Sequence, residues 1–183
     1  MTSCAQCGFD FEGLEADEAP AVLRRAARQI REQLGELLAE ADGVDALRTR
    51  PEPDTWSALE YAAHVRDVFI TQRERLYQTL LEDVPTFSPV HPEQRVIVGN
   101  YDDEDPAITA TELTIAADML ARLLVGLDAD QWSRRFSAFL PELEQRDLRW
   151  LARHSAHEAV HHLLDIDTGL ARVQSTGGRS AAD

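Results

Sequence analysis

The chain has 183 residues, 18 of them basic and 33 acidic, for a net charge of −15. That length suits one domain with a genuine core, and 44% hydrophobic with 28% charged residues is the balance of a soluble globular protein. The negative field repels phosphate backbones and argues against nucleic-acid binding. No apolar run approaches the roughly 20 residues of a membrane span and no signal peptide opens the chain, so a cytoplasmic protein without a membrane partner is expected.

Residues 1–16 form a separate N-terminal segment carrying Cys4-Ala-Gln-Cys7-Gly8-Phe9-Asp10. Two cysteines this close build no disulfide framework, which fits a reducing compartment. Cys-x-x-Cys-Gly has the shape of half a zinc ribbon or rubredoxin knuckle, in which glycine permits the turn that aims backbone N–H groups at sulfur. A structural zinc needs two further ligands. Here they would be His91, His154 or His162, or would come from a second chain. A redox role needs a thioredoxin-like setting that this sequence does not show, and a metal-free terminus is the third reading.

The first helix begins near Asp17 to Pro20, with proline in the first turn that tolerates it. It runs to about Ala41, with Val22, Ala26, Ile30, Leu34, Leu37, Leu38 and Ala41 on one stripe. Gly43, Pro51 and Pro53 mark the connection after it. The second helix has the clearest start: Ser57 with Glu60 forms a capping box, and Trp56 with Tyr61 a hydrophobic staple. It continues through His64, Val68 and Leu76 to about Leu81. The long connection from Val84 to Pro106 holds His91 and an acidic run, and is expected to be functional or to cross over the bundle. The third helix spans about Thr109 to Leu127, with Leu113, Ala116, Ala117, Leu120, Leu123 and Leu124 as its core face. A second connection, Asp128 to about Gln145, carries Trp132 and Phe139, expected exposed as an interface or a lid. The fourth helix follows, and residues 173–183 read as a disordered tail. Four amphipathic helices over residues 17–172 make an all-α bundle, in which metal sites form between facing helices.

The fourth helix carries His154, His157, His161 and His162, four of the six histidines. His157 and His161 lie one turn apart on one face, extended by His154 and Asp165, and two imidazoles so spaced can ligate one metal. His157-Glu158-Ala-Val-His161 also matches the metallopeptidase signature His-Glu-x-x-His. The residues beyond it offer only Asp165, Asp167 and Asp183 as oxygen ligands, and nothing before it resembles the mixed sheet of a peptide cleft. A zinc hydrolase is therefore the remote alternative. His64, among Ala62, Ala63, Val65 and Val68, is the only histidine inside another expected helix; it reads as the third ligand beside the His157/His161 pair, with a satisfied core histidine as the alternative.

Trp56-Ser57-Ala-Leu-Glu60-Tyr-Ala-Ala-His64, followed by His157-Glu-Ala-Val-His161-His162-Leu-Leu-Asp165-Ile166, resembles the DinB/YfiT-like family over about residues 20–170. The resemblance implies an up-down-down-up four-helix bundle with long crossover loops. It also implies a divalent metal, zinc ahead of nickel or iron, on His64, His157 and His161. One branch of the family has a glutamate among its ligands, where all three positions are read here as histidine, and the cysteine element is foreign to the core family. Some relatives transfer a low-molecular-weight thiol such as mycothiol, and some isomerise small acids with it. The implied function is a thiol S-transferase acting on a small electrophile; the alternative is a non-catalytic metal- or small-molecule-binding protein of a stress response. A homodimer is the partner the family suggests.

Roles for the neighbouring residues follow. Asp165, one turn beyond His161, is expected to orient an imidazole. Glu158 lies about 80° from the centre of the His157/His161 pair and either joins as an acceptor or pairs with Arg149 or Arg153 at the surface. His154 is read as a proton shuttle, a substrate contact or a plain polar helix residue, and His162 as structural.

Overall fold

The computed structural model describes residues 3–139 and 142–180. Its elements run α1 (Ala19–Leu38), α2 (Gly43–Arg48), α3 (Ala58–Leu81), β1 (Thr86–Phe87), α4 (Pro92–Val98), α5 (Pro106–Val125), α6 (Ala129–Trp132), β2 (Arg135–Phe139), β3 (Leu143–Asp147) and α7 (Leu148–Ser180). The four long helices α1, α3, α5 and α7 form the expected bundle, each of α1 and α3 packing against both α5 and α7. Among the described residues, no helix is long and apolar enough to cross a membrane.

Local chemistry explains the helix starts. Ser57 Oγ accepts from the Glu60 backbone N–H at 3.2 Å, and a Glu60 carboxylate oxygen accepts from the Ser57 N–H at 2.8 Å. Arg50 clamps the same buried carboxylate, so the cap is tied to the preceding loop. The Trp56 and Tyr61 rings lie 5.3 Å apart, the staple that sets the entry angle of α3. Asp105 caps α5 through the N–H groups of Ala107 and Ile108, with Pro106 in its first turn, so α5 starts earlier than the pattern of apolar residues suggests.

The core runs the length of the bundle. Leu23, Ile30, Leu34, Leu59, Phe69, Leu76, Leu113 and Leu120 are fully buried, each contributing about 1.5–3 kcal/mol of transfer free energy. The α1 stripe is buried from Val22 to Leu37 and widened by Leu23 and Ala27, but the helix ends at Leu38, short of the expected Ala41, which is exposed in the turn that follows.

Both crossovers, loops by their sequence pattern, carry strands. β1 pairs parallel to β2 (Thr86↔Ser137, Phe87↔Ala138), and β2 pairs antiparallel to β3 from Arg135↔Asp147 to Phe139↔Leu143. The small sheet joins the two crossovers at one end of the bundle and leads straight into α7. Trp132 is buried rather than exposed, and Phe139 is half exposed. The last helix continues from Leu148 to Ser180, through much of the segment read as a tail; residues 181–183 lie outside the described residues.

Candidate metal centre

Each residue of α7 advances about 100° around the helix axis, and that rotation sorts its side chains into two stripes. Leu148, Leu151, Ala152, Ala159 and Ile166 mark the core face. Glu158 and His162 fall within about 90° of that face and point at α3. His157 and His161, each one residue earlier, fall beyond about 140° from it and point away from the core.

The inner stripe meets His64 of α3. Donor atoms of His64, Glu158 and His162 all lie within 4.8 Å of one another. Glu158 Oε2 is 3.8 Å from His64 Nε2 and 3.6 Å from His162 Nε2. A cation with metal–nitrogen and metal–oxygen bonds of about 2.0–2.2 Å needs its ligand atoms about 3.4 Å apart, so the two edges from Glu158 need shorten only by tenths of an ångström. His162 Nδ1 sits 2.9 Å from Asp165 Oδ2, which leaves Nε2 turned to the site, the usual arrangement of a ligating histidine with an outer carboxylate. The Tyr61 ring stacks on His162 at 5.3 Å and Trp56 lies 5.1 Å from His64, so both imidazoles are held from their faces.

Electrostatics suits a cation. Burial works against the charged form of Glu158, yet His157, His162 and His64 outweigh it and hold the carboxyl well below its usual range. Burial likewise opposes a charged His162, but Asp165 and Glu158 lift it to about 9. An anionic carboxylate thus sits beside His162, whose protonated form it favours, and a divalent cation binding there would displace that proton. Burial lowers His154, which stacks on Trp150 at 4.6 Å.

The outer stripe meets the N-terminal segment. Cys4, Cys7, His157 and His161 bring four donor atoms within 4.8 Å of one another. The Cys4 thiol is held down to about 6, chiefly by the Cys7 backbone N–H and by His157, while burial pushes the Cys7 thiol up.

The expected trio His64, His157 and His161 is therefore divided between two groups: His64 joins Glu158 and His162, and the other two join the cysteines. Glu158 makes no ion pair with Arg149 or Arg153; it lies between four histidines, with His154 Nδ1 at 3.9 Å and His157 Nδ1 at 3.4 Å from Oε1. His162, read as structural, faces His64. Asp165 touches both groups, His162 at 2.9 Å and His161 at 3.6 Å. The candidate partners His91, His154 and His162 are not the histidines beside the cysteines. A signal for the inner pair was present in the sequence: the Leu/Ala/Ile stripe of α7 already marks its inward face.

A cavity of about 810 Å³ opens on the histidine cluster, with His64, Glu158 and His162 in its wall and His157 and His161 at its edge, and Trp56, Tyr61, His91 and Phe139 around it. His91 takes a left-handed backbone conformation (φ 53°) at the start of α4, which presents the crossover to this cavity. Gln6 of the N-terminal segment also lines it and donates to Asp165 Oδ1 at 3.1 Å.

Comparison with known proteins agrees with the fold. A profile of the DinB superfamily matches residues 26–166. The structure of YfiT from Bacillus subtilis, described as a probable metal-dependent hydrolase with an unusual four-helix bundle topology, superposes with a TM-score of 0.75 at 21% identity, covering 87% of each chain. No curated protein sequence matches the chain.

Proposed function

Because the chain belongs to the DinB superfamily, we propose that it is a metal-dependent enzyme that transfers a low-molecular-weight thiol, of the mycothiol kind, to a small electrophile. The observation that carries this reading is the set of buried His64 and half-buried Glu158 and His162 at the cavity wall. Three protein ligands leave a position open, as catalytic rather than structural sites do. A divalent cation bound there supplies Lewis acidity that lowers the pKa of a thiol or water beside it.

The chain's own residues do the rest. Asp165 fixes the His162 ring so that Nε2 faces the site, and Trp56 and Tyr61 keep both imidazoles from turning. Trp56, Tyr61 and Phe139 give the cavity an apolar wall against which a small electrophile can be held out of water. His154, beside Glu158 and within the cavity lining, is a neutral imidazole placed to accept a proton from an incoming thiol.

The description of YfiT supports a second reading, hydrolysis, in which water takes the place of the thiol. The two separate on one assay. Metal-loaded protein is given a chloro-dinitroarene with and without mycothiol, glutathione or cysteine. Metal-dependent loss of thiol with conjugate formation is the expected result. Absence of conjugate with every thiol, alongside metal-dependent cleavage of activated esters or amides, overturns thiol transfer in favour of hydrolysis.

A further inference from the structure

We propose that the chain holds a second, structural metal site, in which Cys4, Cys7, His157 and His161 bind one zinc-class divalent cation in a closed four-ligand shell. The two cysteines lie ahead of residue 26, outside the part of the chain that the DinB profile matches. The site is independent of the thiol-transfer reading.

The cysteines sit on a built knuckle. Cys4 N–H donates to the Phe9 carbonyl and Gly8 N–H to the Cys4 carbonyl, both at 2.9 Å, and Ser3 pairs with Asp10 in an antiparallel bridge. Gly8 closes the turn at φ +71°, a conformation that a side chain would strain. The backbone N–H groups of Cys7 and Gln6 point at the Cys4 sulfur, where a metal thiolate needs donors.

The histidines are placed to complete the shell. Cys4 Sγ lies 3.6 Å from His161 Nδ1. With zinc–sulfur bonds near 2.3 Å and zinc–nitrogen bonds near 2.05 Å, the sulfur–nitrogen edge of a tetrahedron is also about 3.6 Å. Both ring nitrogens of His157 are buried and neither makes a hydrogen bond of normal geometry, Nδ1 having only the Glu158 carboxylate at 3.4 Å, although a buried imidazole almost always finds a partner. A cation beside one nitrogen resolves that anomaly. Each histidine also has an outer carboxylate for its other nitrogen: Asp165 Oδ2 is 3.6 Å from His161 Nε2, and Glu158 Oε1 is 3.4 Å from His157 Nδ1. This is the second-shell pattern of zinc-bound histidine.

Position and donor type decide the role. His157 and His161 occupy the face of α7 turned from the core, and what covers them is the knuckle. Phe9 and Phe11 pack on the His157 ring at 5.5 and 4.9 Å, sheltering it from water. Two thiolates and two imidazoles favour tetrahedral zinc, and four protein ligands leave no open position. The site therefore acts as a staple. It fastens residues 4–9 across α7, while Arg153 holds the other end through the Leu14 carbonyl at 2.8 Å. The staple keeps Gln6 on Asp165 and in the cavity wall.

The test is made on the full chain purified under reducing conditions, loaded with zinc or with cobalt(II). Wild type is expected to bind two equivalents of zinc. Cys4→Ser with Cys7→Ser should lose one of them, and His64→Ala the other. Cobalt-loaded wild type should show the near-ultraviolet thiolate-to-cobalt charge-transfer band and the intense visible bands of a tetrahedral site, retained in His64→Ala and absent from the double cysteine variant. A cobalt spectrum of wild type without the thiolate band overturns the proposal. So does a double cysteine variant with the zinc content of wild type, or a Cys4–Cys7 disulfide in the reduced preparation. The cobalt spectrum is read on unmutated protein, so a variant that fails to fold cannot decide the matter.

Discussion

The two faces of α7 each carry a pair of potential ligands at i and i+4, Glu158 with His162 and His157 with His161, and offer opposite chemistry. The inner face joins His162 and Glu158 to His64 across a packed helix–helix contact, with a cavity at the open side. The outer face joins His157 and His161 to cysteines on a short hairpin, with two phenylalanines over it. Three ligands on rigid helices leave room for a reactant, whereas four ligands with a flexible segment fasten that segment down. What differs is the partner that each stripe meets, since the spacing of i and i+4 is common to both.

Two carboxylates link the faces. Glu158 turns Oε2 to His64 and His162 and Oε1 to His154 and His157. Asp165 turns one oxygen to His162 and His161 and receives Gln6 on the other. Each group thus contributes to the field and orientation of the other, and variants can measure how far the two are separable.

The largest expected effect is on the inner face alone. His64→Ala should reduce metal-dependent turnover more than about 100-fold, beyond the 10–100-fold range of outer-shell losses, while the thiolate-to-cobalt band stays. Loss of that band as well would show that the two sites form as one. Stripping zinc from the outer group comes next. Zinc at about 100 times its dissociation constant adds about 2.7 kcal/mol, so chelation of the His64→Ala variant should lower its melting temperature by about 5–10 °C. An unchanged melting temperature would deny the outer group a stabilising role.

Asp165→Asn touches both faces. It should weaken inner-site zinc affinity by about 10–100-fold, read by competition with a chelating dye, with a smaller loss at the cysteine site, where the carboxylate stands further off. Equal losses at both sites would mean that Asp165 serves the pair as one unit. Smallest is Ser57→Ala, which removes the cap two turns before His64. It should cost about 1 kcal/mol, a fall of about 2–4 °C in melting temperature, and leave both metal equivalents in place.

Most of the bundle was legible in the chain because helix signals are local. The Ser57/Glu60 box needs four residues to recognise, and the stripes of α1 and α5 need only a period of 3.6. The small sheet was not legible in the same way. β1 is two residues long and pairs with β2 some fifty positions later, and pairing at such separation leaves no periodicity in either strand. Trp132 is the only large apolar residue from Asp128 to Arg135, and a lone aromatic in such a segment carries no sign of which side faces inward until its neighbours are known.

The metal centres divide along the same line. Sequence alone determined that α7 is a helix crowded with histidine, that His64 stands on a facing helix, and that the Cys4/Cys7/Gly8 segment can turn as a knuckle. These follow from residue type and backbone conformation within a few positions. Which histidines meet which partners was decided by tertiary structure. A rotation of about 100° separates neighbouring residues on a helix, so whether His157 or Glu158 faces His64 depends on how α7 is turned against α3. The side chains that fully bury on α7, Leu151, Ala159 and Ile166 among them, set that rotation, because exposing them would cost more than any single ligand could return.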